Sequence, residues 1–272
     1  MIRKQRLLFT TFTLTALLLL ALGCSDSTGP EDREWTLVWA DEFEGAAGQL
    51  PDSTKWNFDV GTGWGNAQLE FDTDRPENVS LDGEGHLAIV ARKESYMGAA
   101  YTSARINTKG LFETQYGRVE ARMKLPWGQG IWPAFWMLGS NIDEVGWPNC
   151  GEIDIMEYRG QKTSRVHGSL HGPGYSGAAP VTGSFDLPNG RFDLAFHVFA
   201  VEWGKEYVEF YVDDHRYLKV DREDVPGPWV YNHPFFIILN LAVGGNYVGP
   251  PDATTVFPQT LLVDYVRVYK EK

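Results

Sequence analysis

Short segments with alternating apolar residues recur along most of the chain, and they constrain its fold more than any other feature. Each is rich in Val, Ile, Tyr, Phe and Thr and is bounded by Gly, Pro, Asn or Asp. No stretch shows the periodicity of an amphipathic helix over three turns. The segments are 86–92, 116–125, 150–158, 196–203, 206–214, 235–243 and 261–269. The pattern predicts an all-β, antiparallel β-sandwich, with a tight hairpin turn at Gly204-Lys205.

The start of the chain has a different composition. Residues 1–23 combine a basic beginning, MIRKQR, with an apolar run, which is typical of a signal peptide. The residues before Cys24 resemble a bacterial lipoprotein signal, so we expect an exported protein with a lipid anchor at Cys24, on the cell surface or outer membrane. Cleavage and release as a secreted protein is the alternative. Residues 24–34 then form a polar tether, and 35–272 form one domain.

The charge of the exported chain excludes some partners. Removal of residues 1–23 takes away three basic residues and leaves 21 basic against 36 acidic residues, a balance of −15. Such a surface repels nucleic acid and anionic membranes, and it argues mildly against a strongly sulfated substrate. With Cys24 lipidated, Cys150 is the remaining thiol, which excludes an intrachain disulfide. We interpret Cys150 as a small buried residue.

The segment Gly151–Tyr158, GEIDIMEY, places three carboxylates in one predicted strand with uneven spacing. Side chains alternate faces along a strand, so Glu152 and Asp154 share a face and Glu157 points to the other. One extra residue at Met156, a β-bulge, returns Glu157 to the shared face. The two glutamates are then four strand positions apart, roughly 13 Å between Cα atoms at ~3.3 Å per residue.

Two glutamate side chains leaning together over that distance bring their carboxyls to about 5 Å, the separation used by retaining glycosidases. One carboxylate attacks the anomeric carbon and the other protonates the leaving oxygen, while Asp154 separates their proton affinities. A solvated sheet face and a calcium site are the alternatives. The first disagrees with nearby indoles, which stack well on sugar rings, and calcium prefers ligands from loops. The indoles belong to Trp127, Trp132, Trp136 and Trp147.

GEIDIMEYRG resembles the active-site signature of glycoside hydrolase family 16, in its laminarinase-type branch, where a methionine interrupts the acids. The segments 64–80, 102–139 and 239–249 also resemble this family. The resemblance implies a curved jelly roll, concanavalin A-like, with a concave substrate cleft, and it makes 35–272 the catalytic domain. It also implies that Glu152 is the nucleophile, Asp154 its assistant and Glu157 the acid/base.

The resemblance further implies residues that contact sugar and residues that hold a metal. The sugar contacts are Asn66, Arg105, Trp132, Trp136, Trp147, His171 and Asn240. A structural calcium is implied at Glu42, Gly85 and Asp264, with backbone carbonyls as further ligands. Phe71 and Asp72 replace residues that are aromatic in relatives, and this departure concerns the floor of the cleft near Glu70.

The implied activity is retaining endo-hydrolysis of β-1,3-glucan such as laminarin, extending to mixed β-1,3-1,4-glucan. Catalysis needs no cofactor, the partner is the polysaccharide, and we expect a monomer. One alternative is the same fold acting on an algal galactan such as agarose. A non-catalytic glucan-binding protein is another, although such proteins typically lack one or both glutamates, and a structural surface lipoprotein is a third.

Overall fold

The computed structural model describes residues 33–272, whose strands form two large antiparallel sheets around a shared core. The predicted signal peptide 1–23, Cys24 and the tether up to residue 32 lie outside the described residues. Within the described part, no helix has the length and apolar character needed to cross a membrane. The predicted all-β sandwich is confirmed.

One sheet has seven strands, here numbered in chain order. In spatial order they are Val181–Asp186 (β12), Arg165–His171 (β11), Glu152–Tyr158 (β10), Ile131–Gly139 (β9), Phe235–Val243 (β16), Arg105–Asn107 (β7) and Asn57–Phe58 (β2). All neighbours in this sheet are antiparallel. β10 is an inner strand of this sheet, so it has a hydrogen-bonded neighbour on each side.

The other sheet has eight strands. Its path is His215–Asp221 (β15), Tyr207–Val212 (β14), His197–Trp203 (β13), Gly117–Lys124 (β8), Gln259–Glu271 (β17), Leu87–Ala91 (β5) and Val79–Leu81 (β4), with Trp35–Asp41 (β1) also paired to β17. A parallel pair joins Glu70–Asp72 (β3) to Tyr101–Ser103 (β6). The short helices are Ile142–Val145 (α1) and the 3₁₀ turn Arg222–Asp224.

The predicted strand segments all contain strands, and the hairpin turn at Gly204-Lys205 joins β13 to β14. The sequence pattern missed β9 as a strand because Pro133 cannot donate to a ladder. In the structure Pro133 pairs with Leu241 of β16 but lies beyond the last pair between β9 and β10. The proline therefore sits where the pairing of β9 with β10 has ended.

The core lies between the sheets and takes alternate residues from each strand. In β16, the first residue Phe235 and then Ile237, Leu239, Leu241 and Val243 face this core. The residues between them lie on the outer face of the seven-stranded sheet and join smaller apolar clusters there. Apolar side chains therefore pack on both faces of this sheet.

β10 contains one extra residue between Asp154 and Glu157. The partners of these acids on β11 are two residues apart, whereas the acids themselves are three residues apart. Two residues, Ile155 and Met156, therefore oppose a single residue of β11, which is the arrangement of a β-bulge. The predicted bulge is confirmed.

The position of the extra residue differs from the prediction by one. Against β9, Asp154 pairs with Trp136 and Met156 pairs with Phe135, so the skipped residue is Ile155. The prediction that Met156 is the inserted residue is therefore wrong. Both bulge side chains are buried in the core, which holds the irregular strand by packing.

The first described residue is attached to the eight-stranded sheet. Glu202 and Glu209 are direct partners across β13 and β14, and both are fully buried. Arg33 donates to both, with 3.1 Å to Glu209, and Arg118 and Arg216 donate at 2.8 Å to Glu202 and Glu209. Because opposed like charges destabilise a sheet, these arginines stabilise the pair. Arg33, assigned above to the tether, thus packs on the domain.

We expect the bulge to depend on core packing by Met156. Met156→Ala should lower the free energy of unfolding by about 2–5 kcal/mol, since it empties a fully buried site. The same change at Met97, which is 75% exposed, should cost less than about 0.5 kcal/mol. Urea unfolding followed by tryptophan fluorescence measures both values. Equal losses in the two variants would contradict the packing assigned to Met156.

Candidate active site

The three predicted acids lie together on the outer face of the seven-stranded sheet. Ile153, between the first two, points into the core, so Glu152 and Asp154 face outward. The bulge returns Glu157 to the same face. Glu152 pairs with His171 of β11 and Glu157 with His167, so the glutamates are four ladder positions apart, as predicted. The structure therefore assembles one row of carboxyls, called the acid row below.

Indole and imidazole groups surround Glu152 and Asp154. Trp147 Nε1 donates to Glu152 Oε2 at 2.8 Å. His171 Nε2 lies 3.0 Å from Asp154 Oδ2 and 3.8 Å from Glu152 Oε1. The backbone N–H of Gly177 donates to His171 Nδ1 at 3.1 Å, so the proton of the neutral ring resides on Nε2, beside the acids. His171, on the neighbouring strand β11, therefore contacts the acid row.

Glu157 has a separate indole donor. Trp132 Nε1 donates to Glu157 Oε1 at 3.1 Å. The Trp132 ring is nearly buried and packs at 5.0 Å from Tyr247, with Ala242 and Val248 in the same cluster. Packing therefore fixes the orientation of the ring, and its N–H points at Glu157. Tyr247 is a residue that the sequence analysis missed.

Burial raises the pKa of all three acids. Burial and then the charge of Asp154 raise the pKa of Glu152 to about 8. For Glu157, burial and then the charge of Glu152 raise the pKa to about 7. The pKa of Asp154 lies well above its usual range, because of burial and the charge of Glu157. The row consequently retains protons at neutral pH, and its members titrate as one coupled set.

On the β9 side of the acid row, a polar and aromatic group continues along the sheet. Trp136 Nε1 donates to Asn240 Oδ1 at 2.8 Å. The Arg105 guanidinium lies 4.8 Å from the Trp136 ring and 5.1 Å from the Trp64 ring. Asn240 and Arg105 are register partners on β16 and β7. Three predicted sugar contacts are thus brought together.

Asp59 and Trp64 complete this group, although sequence reasoning did not select them. Asp59 accepts from Arg105 Nε at 2.8 Å and from Asn107 Nδ2 at 2.9 Å. Trp64 belongs to the GTGWGN loop, and a tryptophan flanked by glycines was the only signal for it. Asp59 carried no signal, because a lone aspartate is ordinary in a loop.

Two tryptophans from the sequence analysis have different positions. Trp147 is 46% exposed while its N–H holds Glu152, so its ring forms an open wall above the row. Trp127 does not belong to the acid row: its backbone N–H donates to Gln259, and Arg191 lies over its ring. Its loop is bonded to Gly160 just after β10 through the Gly128 N–H at 2.9 Å, but the indole itself lies beside Arg191, which proximity in sequence could not reveal.

Asn66 lies on an exposed loop in a left-handed conformation, with φ of 54°. Its carbonyl accepts from the backbone N–H of Asn246 at 2.7 Å, which joins the 61–69 loop to the loop after β16. The described contacts of Asn66 are through its backbone. Its predicted sugar contact stays a prediction.

The segment in which this sequence departs from relatives forms a buried acidic pair. Glu70 and Asp72 are 1% and 2% exposed, and Glu70 Oε2 accepts from the backbone N–H of Val243 at 2.8 Å. Burial raises the pKa of Glu70 to about 7 and that of Asp72 well above its usual range. Phe71 between them packs edge-on against Tyr96. The pair thus lies beneath β16, not at its surface.

The residues proposed for calcium do not form a cation site with their side chains. Arg267 binds the Glu42 carboxylate with two contacts of 2.8 Å, and Arg122 lies 2.5 Å from Asp264. Both carboxylates are therefore neutralised by arginines. Gly85, with φ of 86°, adopts a turn conformation. A structural calcium stays a prediction that would depend on backbone carbonyls.

Two groups in the described part have carboxylate and imidazole atoms within 4.8 Å of one another. One is Glu152, Asp154 and His171 of the acid row. The other is the turn of Asp82, Glu84 and His86, where Asp82 already accepts from two backbone N–H groups and contacts the His86 ring. The second group is held by internal hydrogen bonds.

Comparison with known proteins agrees with this geometry. A 41% identical relative, the beta-glucanase of Rhodothermus marinus, aligns with 98% of this chain and 96% of its own length. The laminarinase catalytic domain of Thermotoga maritima superposes with a TM-score of 0.83 at 49% identity, over 88% of this chain and 99% of that one. The endo-beta-1,3-glucanase of Pyrococcus furiosus gives 0.84 at 47% identity, over 88% and 96%.

The family assignment follows from the sequence match as well as the fold. Residues 59–266 match the family described as glycosyl hydrolases family 16. This range contains the acid row, its indole donors and the Arg105 group. The chain therefore belongs to glycosyl hydrolases family 16.

Proposed function

We propose that the protein is a retaining endo-hydrolase of β-1,3-glucan that also accepts mixed β-1,3-1,4-glucan. The observation that carries this proposal is the acid row: buried Asp154 between two half-buried glutamates on one bulged strand, each glutamate with its own indole donor. Relatives named as beta-glucanase and endo-beta-1,3-glucanase support the substrate class. The polysaccharide crosses the outer face of the seven-stranded sheet.

The reaction proceeds by double displacement. The Glu152 carboxylate attacks the anomeric carbon while Glu157 gives its proton to the departing glycosidic oxygen, so the C–O bond to the leaving chain breaks as the glycosyl–Glu152 ester forms. Glu157, now ionised, takes a proton from water, and the resulting oxygen nucleophile replaces Glu152 at the same carbon. Two inversions retain the configuration and return both glutamates to their starting protonation states.

The surrounding groups assist this cycle in defined ways. The Trp147 N–H donates to Glu152 and stabilises its ionised form. Asp154, when protonated, is placed to share its proton with Glu152, and the His171 ring lies 3.0 Å from Asp154 Oδ2 without an aligned hydrogen bond to it. The roles come from the family resemblance, because the free-enzyme pKa values of about 8 for Glu152 and about 7 for Glu157 taken alone would favour the opposite order.

Arg105, Trp136 and Asn240 contact the sugar on the β9 side of the row. Together they offer an aromatic ring and hydrogen-bonding groups, which suit a pyranose.

We also propose export with a lipid anchor at Cys24, supported by the signal-like residues 1–23. The free enzyme acts as a monomer.

A substrate panel tests the proposed function. We expect reducing sugar from laminarin and from mixed-linkage glucan, with little from agarose, because the Arg105 and Trp136 group belongs to a site built for glucan. Hydrolysis of agarose alone would replace the glucanase proposal with a galactanase. Binding of laminarin without any sugar release would instead indicate a glucan-binding protein.

The roles of the two glutamates can be separated by chemical rescue. Glu152→Ala should lower kcat roughly 10³-fold or more, and azide should restore turnover with a product of inverted configuration. Glu157→Ala should lose most activity on substrates with poor leaving groups, and azide should restore it with retention. NMR of the anomeric proton identifies each product. Inverted product from the Glu157 variant, and none from the Glu152 variant, would exchange the roles.

The buried acid row should also reduce stability at high pH. Burial raises the folded-state pKa of Glu152 from 4.5 to about 8, so the folded state binds the proton more tightly than the unfolded state does. The stability from this group is present below pH 4.5 and is lost as the pH rises toward 8. Glu152→Gln should therefore be more stable than wild type at pH 8 by about 4 kcal/mol, and at pH 5 by only about 1 kcal/mol.

Urea unfolding at the two pH values measures this effect. Glu206→Gln is the matched control, because Glu206 is exposed and lies in the turn between β13 and β14. The control should show no such difference. A Glu152→Gln variant that loses stability at pH 8 would contradict the raised pKa.

A further inference from the structure

A cavity near the acid row has a charge opposite to that of the protein as a whole. It has a volume of about 320 Å³ and opens beside the end of β10. Its lining is Arg159, Lys162, Ser164, Arg165, His167 and Asp186. Three cations and one acid thus line a cavity in a chain whose predicted exported form carries −15.

The cavity continues the acid row. Tyr158 points into the core, so Arg159 is on the outer face, two residues beyond Glu157 and roughly 7 Å farther along the strand. His167 is the register partner of Glu157 across β10 and β11. Arg165, two residues before His167, lies on the same face. The basic group therefore begins where the acid row ends.

The cavity also lies on the opposite side of the row from the Arg105 group. In the seven-stranded sheet, β9, β16 and β7 follow β10 on one side, and β11 and β12 follow it on the other. Arg105, Trp136 and Asn240 are on the first side, whereas Arg165 and Asp186 are on the second. A glycan chain long enough to contact the first group and cross the row extends toward the basic cavity.

The one acid of the cavity offsets only part of the positive charge that lines it. Arg165 is neutralised by Asp186 through contacts of 2.8 and 2.6 Å. Lys162 is exposed and has no ion pair in the described part of the chain. Arg159 lies 4.1 Å from the Tyr247 ring, but its Nε is buried without a hydrogen-bond partner among residues 33–272. Beyond the charge of Arg165 that Asp186 offsets, two positive charges remain, of which that of Arg159 also acts on Glu157.

Resting on the proposed function, we infer that this cavity is a subsite for an anionic group, a carboxylate or a sulfate ester, carried by the glycan next to the cleaved bond. Guanidinium and ammonium groups bind both anions through charge-assisted hydrogen bonds. The Ser164 hydroxyl adds a neutral donor in the same lining. The ligand is a sparsely charged β-glucan, because the acidic remainder of the surface repels a densely charged polymer.

The experiment compares neutral laminarin with laminarin in which a few C6 hydroxyls are oxidised to carboxylates or sulfated. Wild type should have a kcat/KM on the charged glucans about fivefold above that on neutral laminarin, a preference that falls as NaCl rises from about 20 to 300 mM. Lys162→Gln should remove most of this preference and change the neutral value less than about twofold.

Lys205→Gln is the matched control, since it makes the same charge change at an exposed turn on the other sheet and should keep the preference. A second variant, Arg165→Gln with Asp186→Asn, removes an ion pair while keeping the net charge of the cavity, so it should keep most of the preference. Equal losses on neutral and charged glucans in Lys162→Gln would overturn the subsite.

Two further outcomes are informative. Inhibition by inorganic sulfate without any preference for charged glucan would show a site for free anions and would overturn a glycan-borne ligand. If neither glucan is hydrolysed, the proposed function fails, and the subsite is still tested by calorimetry: a carboxylated laminari-oligosaccharide should bind wild type more tightly than its neutral counterpart, and Lys162→Gln should abolish the difference. Equal affinities would overturn the inference independently of catalysis.

Discussion

Mutual repulsion among one buried and two half-buried carboxyls on one strand is the constraint on which the outer face of this molecule depends. Charges in a low-dielectric environment interact far more strongly than in water, so the row depends on retained protons and on N–H donors aimed at the two glutamates. Trp147, Trp132 and His171 lie against these acids. Each ring is placed by a different element, and the loop before β10 and strands β9 and β11 therefore all participate in holding one row.

The bulge connects this row to the core. A regular strand would direct Glu157 inward and Met156 outward, which would bury an acid against apolar side chains and expose an apolar one. With two adjacent bulge residues, Ile155 and Met156, both in the core, the strand loses one ladder position but keeps its packing. The same inserted residue that aligns the acids on the outer face also adds apolar contact on the core side of the strand. Catalytic geometry and core packing are thus set by a single inserted residue.

Much of this arrangement could be predicted from sequence, for identifiable reasons. Period-two patterns predicted strands such as β16, and uneven spacing of acids in a strand predicted the bulge. The pattern could not identify which residue is skipped, because Ile155 and Met156 are both apolar and both fit the core. β9 was missed because Pro133 is excluded from a central ladder unless the neighbouring strand stops, and that depends on the register.

Contacts between distant segments were the hardest to predict. Asp59 and Arg105 lie 46 residues apart, and nothing local marks the aspartate as the partner of the arginine. Trp127 was grouped with the acids by its proximity in sequence, although its loop contacts Gln259 of the other sheet. Likewise, Glu42 and Asp264 have the composition of calcium ligands, but Arg267 and Arg122 occupy their carboxylates. Pairing between charges across a sandwich is a property of the fold, and local patterns do not contain it.

The acidic and basic groups on β10 influence each other. Burial and then the charge of Glu152 raise the pKa of Glu157, while the neighbouring His171 ring, the Trp132 N–H and the Arg159 guanidinium act in the opposite direction. An anion bound beside Arg159 would offset that cation, so the pKa of Glu157 would rise and its proton would be held more firmly in the complex. Because the acid/base must be protonated before the glycosidic bond breaks, an anionic substituent in the cavity would favour the reactive protonation state. The distribution of charge along one strand would then couple substrate recognition to proton donation.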